Sequence, residues 1–110
     1  METGLSDAAV IKQIARVIRE KARPMIEARQ GDKAEPLLKA GEQLGVLLTR
    51  DPERMIIVRL VGIAVQKMMF EDLVKLYESQ GQPDLMQKAL QRQQAVQAEG
   101  DAIKKAAMGQ

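Results

Sequence analysis

The chain has 110 residues, of which 45% are apolar, 17 are basic, 15 are acidic and none is cysteine. This composition excludes wholesale disorder, disulfide bonds and thiolate metal sites, and a net charge of +2 is too small to indicate nucleic acid by itself. Because Phe70 and Tyr77 are the only aromatic residues, aliphatic side chains and seven methionines must fill the core, which favours packing of helix on helix.

The first predicted helix spans about residues 7–30. Pro24 predicts a kink, because proline removes a backbone donor and crowds the preceding turn. Gly31 and Asp32 then predict a helix stop and a new start. Apolar residues recur at helical spacing and predict a single buried side. They are Val10, Ile11, Ile14, Val17, Ile18 and Met25.

A basic stripe lies opposite that side and is formed by Lys12, Arg16, Arg19 and Arg23. Four cations in a line are a candidate anion-binding site, which gives an alternative function: electrostatic binding of nucleic acid or of an anionic membrane. Nucleic acid and membrane are the less favoured partners, because no aromatic residue is available to stack on bases. A charged face is also what any helix of a bundle shows to water.

The second predicted helix spans residues 35–49 and carries Gly41 and Gly45 on one face. Each glycine weakens a helix by about 1 kcal/mol relative to alanine, so the pair suggests a closely approaching partner helix, with accidental spacing as the alternative.

The third predicted helix spans residues 52–80, with Asp51 as N-cap and Pro52 as its first residue. From residue 55 to residue 66 only a narrow strip, Arg59, Gly62 and Gln66, is polar or small. From Lys67 onward the charged residues lie on the opposite side, so the pattern predicts that the buried face changes sides near Gln66. Arg59 either binds a carboxylate or helix-end carbonyls, or extends its guanidinium to water.

The apolar first half of this helix is the candidate interaction surface. Its residues are Met55, Ile56, Ile57, Leu60, Val61, Ala64 and Met68. Leaving so many large apolar side chains in water is costly, and the other helices offer incomplete cover. We therefore expect a homodimer in which third helices meet, or a complex with another helical protein.

A fourth predicted helix spans residues 83–108 and has a thin apolar stripe typical of a peripheral helix. Residues 1–110 are thus predicted to form a single all-α domain, either a four-helix bundle or a dimer of helical hairpins, with a long central third helix. The alternative is a short solenoid resembling tetratricopeptide repeats, in which the chain bends near Gln66.

Few side chains in the sequence could catalyse a reaction, and we expect that the chain is not an enzyme and has no cofactor or metal site. Histidine and cysteine are absent, so triads with a histidine base and the usual zinc ligand sets cannot form. Glu71 and Asp72 read as solvated charges rather than an acid/base pair. Neither a signal peptide nor a transmembrane segment is evident, which leaves the compartment open with the cytoplasm as the default expectation.

Overall fold

The computed structural model describes residues 4–109, which form four α-helices and no strand. The helices are α1 (Gly4–Glu27), α2 (Gly31–Thr49), α3 (Ile56–Ser79) and α4 (Pro83–Met108). The predicted all-α fold of packed helices with a long central third helix is confirmed.

Helix α3 is central because it packs against each of the other three helices, whereas α1 and α4 do not touch each other within residues 4–109. Contacts between helices give the relative directions of the helices. Ala8 clusters with Val58 near the start of both helices, and Arg19 pairs with Asp72 further along both, so α1 and α3 are parallel. Helices α2 and α4 run antiparallel to α3. The result is an open array measuring 46 × 26 × 14 Å, rather than a closed ring of helices.

Helices α2 and α3 approach each other closely where they cross at Gly45 and Gly62. A Cβ atom added to Gly45 would lie 2.8 Å from the carbonyl oxygen of Gly62, and one added to Gly62 would lie 2.6 Å from that of Gly45. Neither backbone could move aside cheaply. The close approach suggested by Gly45 is therefore confirmed, and the partner helix is α3 of the same chain.

The predicted starts of two helices are wrong. Helix α3 begins at Ile56 rather than Pro52, because Asp51 forms a local turn in which its Oδ1 accepts from the N–H of Glu53 at 2.9 Å. Helix α2 begins at Gly31 rather than residue 35, so Gly31 is a helix start and not a stop.

Helix α1 continues through Pro24 and ends at Glu27 in a Schellman arrangement. The N–H of Gln30 donates to the carbonyl of Met25 at 2.7 Å, and Arg29 has the positive φ of 60°. The same motif closes α3, where Gly81 takes a φ of 65°. The left-handed position is thus filled by arginine after α1 and by glycine after α3.

Helix α3 is continuous, so the bend near Gln66 required by the solenoid alternative does not occur. The buried face does not change sides either. The strip Arg59, Gly62 and Gln66 faces α2 instead of water, and the exposed residues of α3 other than Ile56 form a single strip. They are Ile57, Ala64, Glu71, Lys75, Glu78 and Ser79.

The buried stripe of α1 also differs from the prediction. Val10, Ile14 and Val17 are exposed. Of the predicted residues, Ile18 is buried and Ile11 and Met25 are partly buried, and the core also receives Ala8, Ala15 and Ala22. Alanine and a larger apolar residue therefore alternate in a heptad pattern, with a spacing of seven between alanines. The small alanine side chains let α1 approach α2 and α3 closely.

The Gly62 crossing predicts a sharp contrast between two glycine substitutions. Gly62→Ala places a methyl group against backbone and should lower the free energy of unfolding by about 1–3 kcal/mol. The Cβ atom of Gly41→Ala would meet side chains only, Met69 at 2.5 Å and Ile18 at 3.4 Å, and the substitution gains helix propensity, so it should cost less than Gly62→Ala. Urea unfolding followed by circular dichroism measures both. Equal losses in the two variants would contradict the assignment of Gly62 as the tighter position.

Candidate interaction surface

The uncovered side of α3, which we call the open face, consists of Ile57, Leu60 and Ala64, followed by Glu71 and Lys75. Ile57 is 57% exposed and Ala64 is also exposed, while Leu60 is half-buried. These residues fall on one side of the helix because each advances about 100°. The open face is apolar in its first half and charged in its second.

The seven predicted interaction residues divide into two groups. Met55, Ile56, Ile57 and Ala64 are exposed, whereas Leu60, Val61 and Met68 are partly buried against the core. No finding tests their role in binding, which stays a prediction.

Sequence reasoning missed a second exposed apolar group on the far side of α1 and the end of α2. Its members are Val10, Ile14, Val17 and Leu47. The heptad of Ala8, Ala15 and Ala22 was the available signal, since it marks a narrower stripe that excludes the larger valines from the core.

The four residues of the basic stripe have different surroundings. Arg19 donates from Nε to Asp72 Oδ2 at 3.0 Å and also pairs with Glu71, while Arg23 lies 3.8 Å from Asp72 Oδ1. Lys12 and Arg16 are exposed, and within residues 4–109 neither has a carboxylate partner. Two of the four candidate anion-binding cations therefore face carboxylates of α3.

The interpretation of Asp72 as a solvated charge is wrong, because its side chain is 0% exposed beneath α1. Burial of Arg19 opposes its charge, but its hydrogen bond and charge interaction with Asp72, together with Glu71, raise the pKa of Arg19 above its ordinary value. Arg19 is therefore a structural residue that attaches α1 to α3.

Arg59 binds a carbonyl at the end of a helix, which is one of the alternatives predicted for it. Its Nε donates to the carbonyl of Thr49, the last residue of α2, at 2.9 Å. The Thr49 hydroxyl donates to the Gly45 carbonyl at 3.0 Å and accepts from Gln66 Nε2 at 3.1 Å. These bonds satisfy the polar strip of α3 within the fold, which removes it from the candidate surface.

A groove separates α2 from α4 on another side of α3. It contains cavities of about 260 and 190 Å³ that share Arg92 as a lining residue. The Arg92 guanidinium lies 5.5 Å from the ring centre of Phe70 and 3.5 Å from Glu42 Oε2. Arg92 thus spans the groove and divides it.

At the end of this groove the Tyr77 hydroxyl donates to Glu35 Oε2. That hydrogen bond lowers the pKa of Glu35 despite the opposing effect of burial, and Lys39 lowers it further. Burial, followed by the hydrogen bond and charge of Glu35, raises the pKa of Tyr77 well above its ordinary value. The pair connects α2 to α3.

Neither metal ligands nor a membrane span can be identified among residues 4–109. No group of three or more carboxylates there is placed to hold a metal ion. No helix in the same residues combines the length and the apolar character needed to cross a bilayer.

Comparisons with protein-family models, with curated proteins and with solved structures find no match. Function must therefore be inferred from the geometry of the chain itself.

The buried ion pair predicts a large asymmetry between single and double substitutions. Arg19→Leu leaves the Asp72 carboxylate buried without its closest cation and should cost about 3–5 kcal/mol of unfolding free energy. Arg19→Leu/Asp72→Leu removes both charges and should recover most of that loss. Urea titrations of the two variants and the unmodified chain supply the comparison, and an unchanged stability in Arg19→Leu would refute the pairing.

The single tyrosine gives a direct test of the Tyr77 and Glu35 pair. Because the folded pKa of Tyr77 is raised, its contribution to stability is complete below the ordinary value of 10.0 and is lost only as pH rises through the folded pKa. The Glu35 contribution has the opposite sign: it is complete above 4.5 and is lost as pH falls through the lowered pKa.

Ultraviolet titration of tyrosinate, with circular dichroism in parallel, should show no ionisation at pH 10 while the chain is folded. In the Glu35→Gln variant, Tyr77 should titrate at lower pH than in the unmodified chain, because the adjacent negative charge is gone. Titration of the folded chain at the pH of free tyrosine would contradict the hydrogen bond.

Proposed function

We propose that this chain is a non-enzymatic helical interaction module that binds a helical partner through the apolar half of the open face of α3. The partner is a second copy of the chain or another helical protein. The observation that carries the proposal is the 57% exposure of Ile57 in a helix whose other sides are covered by three helices.

The total surface supports the same proposal. The chain exposes 6911 Å², whereas a compact monomer of 12.2 kDa exposes about 6,100 Å². The excess reflects the elongated, open arrangement of the helices, whose extents are 46 × 26 × 14 Å. An open array of helices therefore has the surface to spare for association.

The electrostatic alternative has less support, because Arg19 and Arg23 face carboxylates of α3 rather than solution. A phosphate would have to compete with the buried Asp72 for Arg19. Two cations, Lys12 and Arg16, are too few to form a site that follows the phosphate backbone of a nucleic acid.

Two matched alanine substitutions test the proposed surface. Ala64→Glu places a charge on the open face, whereas Ala98→Glu makes the same change at an exposed position of α4. Light scattering after size exclusion, with refractive-index detection, reports self-association of each. In parallel, a helical peptide with leucines at i, i+3, i+4 and i+7 and neutral polar residues elsewhere is titrated into each variant.

We expect the unmodified chain and Ala98→Glu to self-associate or to bind the peptide. Ala64→Glu should lose that association at least tenfold without losing stability, because position 64 is already exposed. A chain that remains monomeric and does not bind the peptide would refute the proposed function.

A further inference from the structure

The flanks of the open face differ in charge. Helices α1 and α4 lie on opposite sides of α3, with α2 behind it. Because α1 is parallel to α3 and Arg19 is level with Asp72, Arg16 is level with residue 69 and Lys12 with residue 65, each one residue beyond Met68 and Ala64. The α1 flank therefore presents exposed cations beside the apolar half of the open face.

The α4 flank is polar but nearly neutral. Lys67 of α3 donates to Gln97 Oε1, and Gln97 Nε2 donates to Asp101 Oδ1 at 3.0 Å. Lys104 follows one turn after Gly100. Asp101 offsets one of the two cations, Lys67 and Lys104, so this flank is only weakly positive. The larger positive charge beside the apolar half of the open face belongs to Lys12 and Arg16 of α1.

A second copy does not complement this distribution. If two open faces meet through their apolar halves with antiparallel α3 helices, the two α1 flanks lie on the same side of the interface, so Lys12 and Arg16 of both copies share that side. If the α3 helices are parallel, Glu71 approaches its own counterpart instead. Both twofold arrangements bring like charges together, which costs free energy at an interface.

We propose that the partner of the open face is an acidic amphipathic helix from another protein, and this inference rests on the proposed function. Its apolar side packs on Ile57, Leu60 and Ala64, and its carboxylates face Lys12 and Arg16. The apolar floor from residue 57 to residue 64 is about 10 Å long, which matches the span of a docked helix with anchors at i, i+3, i+4 and i+7.

The probes are three synthetic helical peptides with the same leucine stripe. One carries glutamates along one flank, one carries lysines there and one is neutral. Fluorescence anisotropy of the labelled peptides measures binding to the unmodified chain at low salt. We expect the acidic peptide to bind about tenfold or more tightly than the basic one, with a preference that shrinks as salt is added.

A matched pair of chain variants locates the charge effect. Lys12→Gln/Arg16→Gln should reduce the preference for the acidic peptide several-fold while leaving binding of the neutral peptide unchanged. Lys33→Gln/Lys88→Gln removes two exposed cations on α2 and α4 and should leave the preference intact.

The outcomes separate the two proposals. Binding of the neutral peptide with no preference for the acidic one overturns the acidic partner but leaves the interaction surface standing. A tight homodimer that is lost in Ala64→Glu also overturns the acidic partner, because the second copy then occupies the face. Absence of both peptide binding and self-association overturns the proposed function and this inference with it.

Discussion

The crossing of α2 and α3 at Gly45 and Gly62 is the constraint on which the rest of the fold depends. Because neither residue has a Cβ atom, the two backbones meet directly and place Thr49 against α3. The Thr49 hydroxyl and carbonyl then satisfy Gln66 and Arg59. The polar strip of α3 is consequently turned toward α2. Ile57 and Ala64 lie on the side of α3 away from α2 and are therefore turned outward.

The position of α1 depends on a different interaction, the buried Asp72 carboxylate. An unpaired buried carboxylate would be strongly destabilising, so Arg19 must cover it, and this fixes the level of α1 along α3. The heptad of Ala8, Ala15 and Ala22 permits the close approach that the pair needs. Once Arg19 is fixed, helical periodicity places Lys12 and Arg16 beside the apolar half of the open face.

Much of the architecture could be predicted from the sequence, because helix type, helix number and the central role of α3 depend on periodicity and on glycine and proline positions. The failures involved partners that periodicity cannot reveal. Whether Arg59, Gly62 and Gln66 face water or a helix depends on Thr49, and whether Asp72 is solvated depends on Arg19, more than fifty residues away in the chain. For the candidate surface, the sequence indicated the apolar segment, but only the packing of three helices showed that Ile57 and Ala64 are exposed.

The change from apolar to charged residues along the open face limits what can bind there. Ile57, Leu60 and Ala64 offer about two helical turns of apolar floor, and then Glu71 begins the charged half while already paired with Arg19. A longer apolar helix would have to cover Glu71 and Lys75 and remove their charges from water. The open face is therefore matched to a short helix docked at one end of α3. The charge of that partner helix is inferred from the cations that flank the face, Lys12 and Arg16.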